Sequence, residues 1–142
     1  MDWNSIFAIS AAGMQVEQAR FNVSAVNLAN ANTVMGKDGS GFRPKSIVTA
    51  LSGVFSKHMS DAESVQAPMV TGIIEQNVNP KLVYEPGNPA ADEKGFVRLP
   101  GVNTTTEMLN IVTAIRAYES NVVAMNAAKS MAQKALEIGN GS

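Results

Sequence analysis

The stretch DWNSIFAISAAGMQVEQARFNVSAVNLANAN, residues 2–32, decides the fold because its side chains repeat with the period of a packed helix. One line of side chains recurs every seven residues, and another follows it three positions later. This is the a/d spacing of a heptad repeat, which keeps one side of a helix against a partner helix. The a line comprises Ile9, Val16, Val23 and Asn30, and the d line comprises Ala12, Ala19 and Val26.

A further apolar line runs along a different side of the same helix. Phe7, Met14, Phe21 and Leu28 also repeat every seven residues and take the f position, which faces water in a two-stranded coiled coil. A helix with two apolar lines has to be covered on both sides. We therefore expect one partner helix from within the chain and another from a second molecule.

Charged side chains are rare in this region. Between residues 1 and 36 only Asp2, Glu17 and Arg20 are ionisable, and Ser, Asn and Gln fill the remaining face. Uncharged side chains suit a helix packed among several others, because no buried charge then needs a partner. The alternative interpretation of this helix, taken alone, is an ordinary core helix of a globular domain.

Composition excludes several classes of protein. The 142 residues carry a net charge of −1 with 16% charged side chains, so the sequence predicts no nucleic-acid partner. No apolar run reaches the roughly 18 residues of a membrane span, and we expect no direct membrane insertion. The start of the chain lacks the pattern of a cleavable signal peptide. Cysteine is absent, which excludes disulfides and thiolate metal sites.

Residues 34–103 form a β-rich insertion with extended loops. β-Branched alternation predicts short strands at 46–51, 69–74, 81–84 and 96–99. Residues 53–67 are poorly patterned and predict a loop. Pro86 and Gly87 favour the central positions of a type II turn, since proline fixes φ and glycine accepts a positive φ.

A second long helix is predicted from residue 104 onward. Thr104 and Glu107 fit a capping box at its start, and Gly139 suits its C-terminal cap. Lys129 interrupts the a line of its heptads. That line comprises Met108, Ile115, Val122 and Leu136, and the d line comprises Ile111, Tyr118, Met125 and Ala132.

The expected fold is mainly α with a small β insertion. The long N-terminal and C-terminal helices would pair as an antiparallel coiled coil, with the β-rich segment at one end. The expected divisions are an N-terminal helix over residues 1–33, the β-rich insertion over 34–103 and a C-terminal helix over 104–142. The two helices would together form an inner domain.

Catalytic and metal-binding patterns are weak. The single histidine, His58, lies in the poorly patterned loop, and no His or Cys cluster has metal-ligand spacing. The carboxylate pairs at 61/63 and 92/93 lie in polar loops and are typical of solvated surface. The sequence therefore predicts no catalytic residue, no cofactor-binding residue and no metal ligand.

Two short segments near the end of the first helix resemble a known family. NLANANT at residues 27–33, followed by Gly36 and by FRPK at 42–45, is similar to the N-terminal signature of bacterial flagellar rod and hook proteins.

Later segments narrow the resemblance to the proximal-rod subunits of the flagellar basal body. They are LVYEPGNP at 82–89, LPGVN at 99–103, RAY at 116–118 and KSM at 129–131. The positions taken to carry the family motif are Asn27, Leu28, Ala29, Asn30, Tyr84, Glu85, Pro86, Gly87, Asn88 and Pro89.

The resemblance implies a structural protein rather than an enzyme. It implies helical assembly into the periplasmic rod, transmission of torque from the basal-body ring to the distal rod and hook, and terminal helices that line the export channel. The implied partners are copies of the chain, other rod proteins, the basal-body ring with its rod adaptor, and the flagellar type III export apparatus. Export would occur without a cleaved signal peptide.

The heptad lines supply the expected assembly interface. Its residues are Phe7, Ile9, Met14, Val16, Phe21, Val23, Leu28, Asn30, Met108, Ile115, Tyr118, Val122 and Met125. Two other classes of function stay open at this point. One is a soluble helical adaptor or secretion-system subunit, and the less favoured one is a small cell-wall hydrolase with His58 as its base.

Overall fold

A computed structural model describes residues 3–53 and 66–140. Over these residues the chain forms α1 (Trp3–Ala29), β1 (Lys45–Gly53), β2 (Gln66–Glu75), β3 (Lys81–Tyr84), β4 (Phe96–Leu99) and α2 (Thr104–Asn140). β1 pairs with β2 in one two-stranded sheet and β3 with β4 in another. The mainly α class with a small β region in the middle is thus confirmed. β3 and β4 match the predicted strands, whereas β1 and β2 extend beyond the predicted 46–51 and 69–74. Residues 54–65 of the predicted loop lie outside the described residues.

The chain divides into two units. The first consists of Met1–Ala19, Val48–Gly72 and Thr113–Ser142, and the second consists of Arg20–Ile47 and Ile73–Val112. Each unit therefore contains a portion of both helices, and the second unit also contains the β3–β4 hairpin. In that hairpin the strands are antiparallel, with Lys81 opposite Leu99 and Tyr84 opposite Phe96.

Local capping chemistry sets the helix ends. α1 ends at Ala29 rather than near residue 32, and Asn30 donates its side-chain amide to Val26 O at 2.8 Å. α2 begins at residue 104 as predicted, but its N-cap is Asn103, whose Oδ1 accepts the Thr106 N–H at 3.1 Å. The predicted Thr104–Glu107 capping box is therefore wrong.

Two glycine predictions also differ from the structure. α2 continues through Gly139 to residue 140, so this glycine does not end the helix. Gly87 has no positive φ, so the Pro86–Gly87 turn is not type II. The turn is closed by a hydrogen bond from Asn88 N–H to Glu85 O at 3.1 Å, a spacing that a type I turn provides without left-handed glycine.

Burial along α1 follows the predicted a line only in part and includes several small and polar residues. In the first unit Ser10 and Val16 are buried while Ile9 is 42% exposed. In the second unit Val23, Ser24 and Asn27 are buried and Val26 is exposed. Val16 and Val23 belong to the a line, so that line is buried in part, and the other buried side chains are small or polar ones beside it.

On α2 the buried line lies one position before the predicted a line. The predicted a-line residues Met108 and Ile115 are 56% and 42% exposed. Ala114, which precedes Ile115, is buried, and so is Ala128, which precedes Lys129. In the first unit Asn121 lies against Gly13, where a built Cβ would be 3.0 Å from Asn121 Nδ2. Pairing of the helices as an antiparallel coiled coil stays a prediction.

The core of the second unit gathers around Met35 and Val97, which are both buried. Met35 N–H donates to Arg98 O at 2.9 Å, which ties the segment after α1 to β4. A Cβ built on Gly101 would meet the backbone Asn79 O and would lie 2.6 Å from the side-chain Val78 Cγ1. This close packing holds the entry to α2 against the segment before β3.

Candidate assembly interface

Asn27 is the most buried polar side chain described, with 1% of its surface exposed. Its Oδ1 accepts the Lys45 N–H at 2.8 Å, and its Nδ2 donates to Lys45 O at 2.8 Å and to Glu107 Oε1 at 3.2 Å. Both amide hydrogens and the carbonyl oxygen are thus used. We call these three residues the Asn27 cluster. It joins the end of α1 to the first residue of β1 and to the first turn of α2.

A tight turn follows α1. Gly36 N–H donates to Ser40 O at 2.7 Å, and Gly39 takes a φ of 81°, which favours glycine. The Ser40 hydroxyl and N–H donate to Asp38 Oδ1 at 2.6 and 3.1 Å, and these bonds hold the pKa of Asp38 below its ordinary 3.8. The turn is therefore fixed by its own side chains.

The loop between β3 and β4, residues 85–95, is likewise held by local hydrogen bonds. Asn88 donates its amide to Glu85 Oε2 at 3.0 Å, and Asn88 Oδ1 accepts the Ala90 N–H at 3.0 Å. Asp92 Oδ1 accepts the N–H groups of Lys94 and Phe96, both at 2.9 Å. These contacts give a loop with a defined shape.

The loop presents an exposed aromatic side chain beside two prolines. Tyr84 is 63% exposed, and its ring meets Phe96 edge to face with centroids 5.3 Å apart. Pro86 and Pro89 are also exposed. The motif positions thus separate into buried Asn27, the turn-forming side chains of Glu85 and Asn88, and an outward surface at Tyr84, Pro86 and Pro89.

We expect the hairpin to lose stability in acid because of Asp92. The Phe96 N–H above all, with Lys94, lowers the pKa of Asp92 below its ordinary 3.8. A depressed pKa means that this stabilisation is present above about pH 3.8 and is lost as the pH falls through the folded-state value. The protection of the Lys94 and Phe96 amides, measured relative to their intrinsic exchange rates, should therefore fall below pH 3.8.

Asp92→Asn provides the control for this pH dependence. The asparagine can still accept a hydrogen bond but carries no titrating carboxyl, so its amide protection should change less over the same pH range. Equal acceleration in both proteins, after correction for intrinsic exchange, would contradict the role assigned to Asp92.

The residues expected at the assembly interface fall into three exposure classes. Val16 and Val23 are buried within the chain. The half-buried ones are Phe7, Met14, Leu28, Asn30, Val122 and Met125. The exposed ones are Ile9, Phe21, Met108, Ile115 and Tyr118.

Other exposed apolar side chains were not expected from the heptads. Leu109, Val112 and Val123 are exposed on α2, and Ile73 and Ile74 are exposed on β2. The adjacent pair Ile73–Ile74 could have indicated an exposed apolar surface on β2. Neighbouring strand residues point to opposite faces, so both cannot face the same core. An amphipathic strand buries only one of them.

The second unit contains two open cavities beside the Asn27 cluster. One of about 260 Å³ is polar, and its lining includes Arg20, Lys45 and Glu107. The other, of about 380 Å³, is more apolar and includes Val26, Ile73 and Ile74.

His58, proposed as the base of the hydrolase alternative, lies outside the described residues. Across residues 3–53 and 66–140, no three His, Asp or Glu side chains gather in a metal-binding group. No helix within those ranges combines the length and apolarity needed to cross a membrane.

Comparison with known proteins gives consistent matches. Residues 93–138 match the family described as flagellar basal body rod FlgEFG protein, C-terminal. Flagellar basal-body rod protein FlgC of Escherichia coli O6:H1 is 40% identical over 135 residues, covering 95% of this chain and 96% of that protein. FlgC of Salmonella typhimurium is 38% identical with the same coverage. FlgC of Bacillus subtilis is 35% identical, covering 92% and 94%.

Proposed function

Because this chain belongs to the FlgC family of flagellar basal-body rod proteins and is a structural subunit of the rod, we propose that it transmits torque through the apolar side chains exposed on its two helices. Its place is the flagellar basal body, where it assembles with other components. Burial of these side chains between subunits would resist sliding of one subunit past the next.

One observation supports this proposal above the others: many large apolar side chains of the helices lie outward, while several small and polar ones lie inward. Met108, Leu109 and Ile115 are exposed, whereas Ala114 and Asn27 are buried. Each fully buried large apolar side chain stabilises by about 1.5–3 kcal/mol. The chain alone leaves that stabilisation unrealised, and contact with neighbouring subunits would provide it.

The division of the chain follows from the same proposal. The helices of residues 1–33 and 104–142 would pair as an antiparallel coiled coil, form the inner domain and line the export channel. Residues 34–103 would contact neighbouring subunits through the turn after α1 and the loop at residues 84–89. The partners would be copies of the chain, other rod proteins, and the basal-body ring with its rod adaptor.

The route to this position would be the flagellar type III export apparatus, without a cleaved signal peptide. The rod would then lie in the periplasm, and the chain would reach it without inserting into a membrane. No cofactor and no catalytic residue is needed for this role.

Amide hydrogen exchange tests the structural proposal. In dilute purified chain, we expect fast exchange over residues 3–32 and 108–136, because helices gain most of their stability from packing and these helices bury few large side chains. Addition of rod partners should slow exchange over both ranges by at least about tenfold, which corresponds to about 1.4 kcal/mol.

Residues 81–84 and 96–99 provide an internal reference for that experiment. Their hairpin bonds lie within the chain, so their protection should change less on assembly. Strong protection of both helices in the dilute chain, unchanged by partners, would indicate a self-sufficient domain and would reopen the adaptor and hydrolase alternatives.

A further inference from the structure

The helix contact in the second unit contains few large side chains that could fix its alignment. Among residues 20–29 of α1, Val23 is the one buried apolar side chain, and Ser24 and Asn27 are buried beside it. On α2, Glu107 and Asn110 are partly buried. Knobs-into-holes packing of large apolar residues ordinarily defines how far one helix slides along another. With short polar side chains, several registers of α1 against α2 would have similar packing energies. Another interaction therefore has to select one register.

The direction of the contact can be traced within this unit. Asn27 bonds Glu107, while Ser24 and Asn110 line the same cavity as Glu107. The two helices therefore run antiparallel in this contact. A displacement by one heptad would move the helices by about 10 Å and would bring Asn27 opposite a residue other than Glu107.

The Asn27 cluster penalises such a displacement. Asn27 is 1% exposed, so an amide hydrogen left without an acceptor would bear a desolvation cost. Glu107 Oε2 is itself buried and has no hydrogen-bond partner among the described residues. Glu107 thus depends on the bond from Asn27 to Oε1, and Asn27 can donate it without releasing Lys45.

We propose that Asn27 sets the alignment of α1 with α2, acting as a positioning residue that admits one register and attaches β1 to it. A single buried asparagine in a helix pair is a known means of specifying register at some cost in stability. This inference rests on the helix pairing proposed above. It adds that the family-motif asparagine selects the register and does not merely cap or fill space.

Spin-label distances test the proposal. The native chain has no cysteine, so Asn22→Cys and Val112→Cys, both at exposed positions of the second unit, would carry the only labels. With Asn27 present, and with the labelled chain diluted into unlabelled chain and assembled with rod partners, we expect a single narrow distance distribution. Asn27→Ala should add a second population displaced along the helices by about 10 Å or a multiple of it, and Asn32→Ala, at an exposed position, should not.

Exchanging the donor and the acceptor between positions 27 and 107 distinguishes a role of Asn27 in register from a general role in folding. Asn27→Asp places a carboxylate against Glu107 and should broaden the distribution. Adding Glu107→Gln supplies an amide that can donate to the carboxylate introduced at position 27, and we expect the narrow distribution to return although Lys45 O has lost its donor. Glu107→Gln alone keeps an acceptor for Asn27 and should behave as the native chain.

Three results would contradict either the helix pairing or the role of Asn27. A broad distribution in the native sequence would refute the helix pairing itself, whereas a narrow distribution unchanged by Asn27→Ala would refute only the register role. Loss of helical circular dichroism in Asn27→Asp without recovery in the double variant would also refute it, since Asn27 would then be required for folding alone.

Discussion

Phe21→Asp is expected to abolish incorporation of the chain into the rod while leaving its export intact. Phe21 lies on α1 with 36% of its surface exposed, and the proposal places that exposed face against a neighbour. Because 36% of Phe21 is exposed, replacing the ring removes about 0.5–1 kcal/mol of burial between subunits, and desolvation of the added charge raises the total loss to about 2–3 kcal/mol. Each contact would weaken by roughly 30- to 150-fold, and a cell carrying only this variant should be non-motile.

Asn22→Asp is the matched control. Asn22 is exposed and adjacent to Phe21 on the same helix, and the substitution adds the same charge without removing apolar surface. We expect normal rods and motility from it, and normal amounts of both variants in the exported fraction. Motile cells with normal basal bodies and Phe21→Asp as their only copy would contradict the assembly interface.

Gly101→Ala is expected to cause the largest loss of stability in the second unit. A Cβ at residue 101 would meet Asn79 O and would lie 2.6 Å from Val78 Cγ1. One of these atoms belongs to the backbone, so relief requires movement of the segment before β3. Overpacking of this kind costs about 3 kcal/mol, which corresponds to a fall of roughly 10 °C in the melting temperature.

Gly87→Ala serves as the control for that substitution. No heavy atom lies within 4 Å of the Cβ position at Gly87, and its φ is not positive. Its melting temperature should equal or slightly exceed that of the native chain, because alanine restricts the unfolded state. Similar melting temperatures for the two variants by calorimetry would show that the close approach at Gly101 is easily relieved.

Local patterns predicted most of the secondary structure. The strands at 81–84 and 96–99 agree with the structure at both ends, since their signal is alternation bounded by turn residues. The α2 N-cap was misplaced by one position because Asn103 and Thr104 can both cap a helix. Asparagine is the better N-cap of the two, but the spacing from Thr104 to Glu107 imitates a capping box and favoured the wrong residue.

The buried faces of the helices were less predictable. Heptad assignment correctly marked Val16 and Val23 as buried, but at Ile9 and Ile115 the chain buries the small neighbours Ser10 and Ala114 instead. That preference depends on close approach between elements distant in sequence. For the same reason the family resemblance could mark Asn27 but not its role, since its partners Lys45 and Glu107 are 18 and 80 positions away.

The scarcity of charge on α1 affects how contacts made through this helix depend on salt concentration and temperature. Within Trp3–Ala29 only Glu17 and Arg20 are ionisable. Salt screens contacts between charges, but it does not screen the burial of apolar side chains, which instead weakens on cooling. Contacts made through α1 should therefore hold equally in dilute and in saline media, and low temperature is the condition that would loosen them.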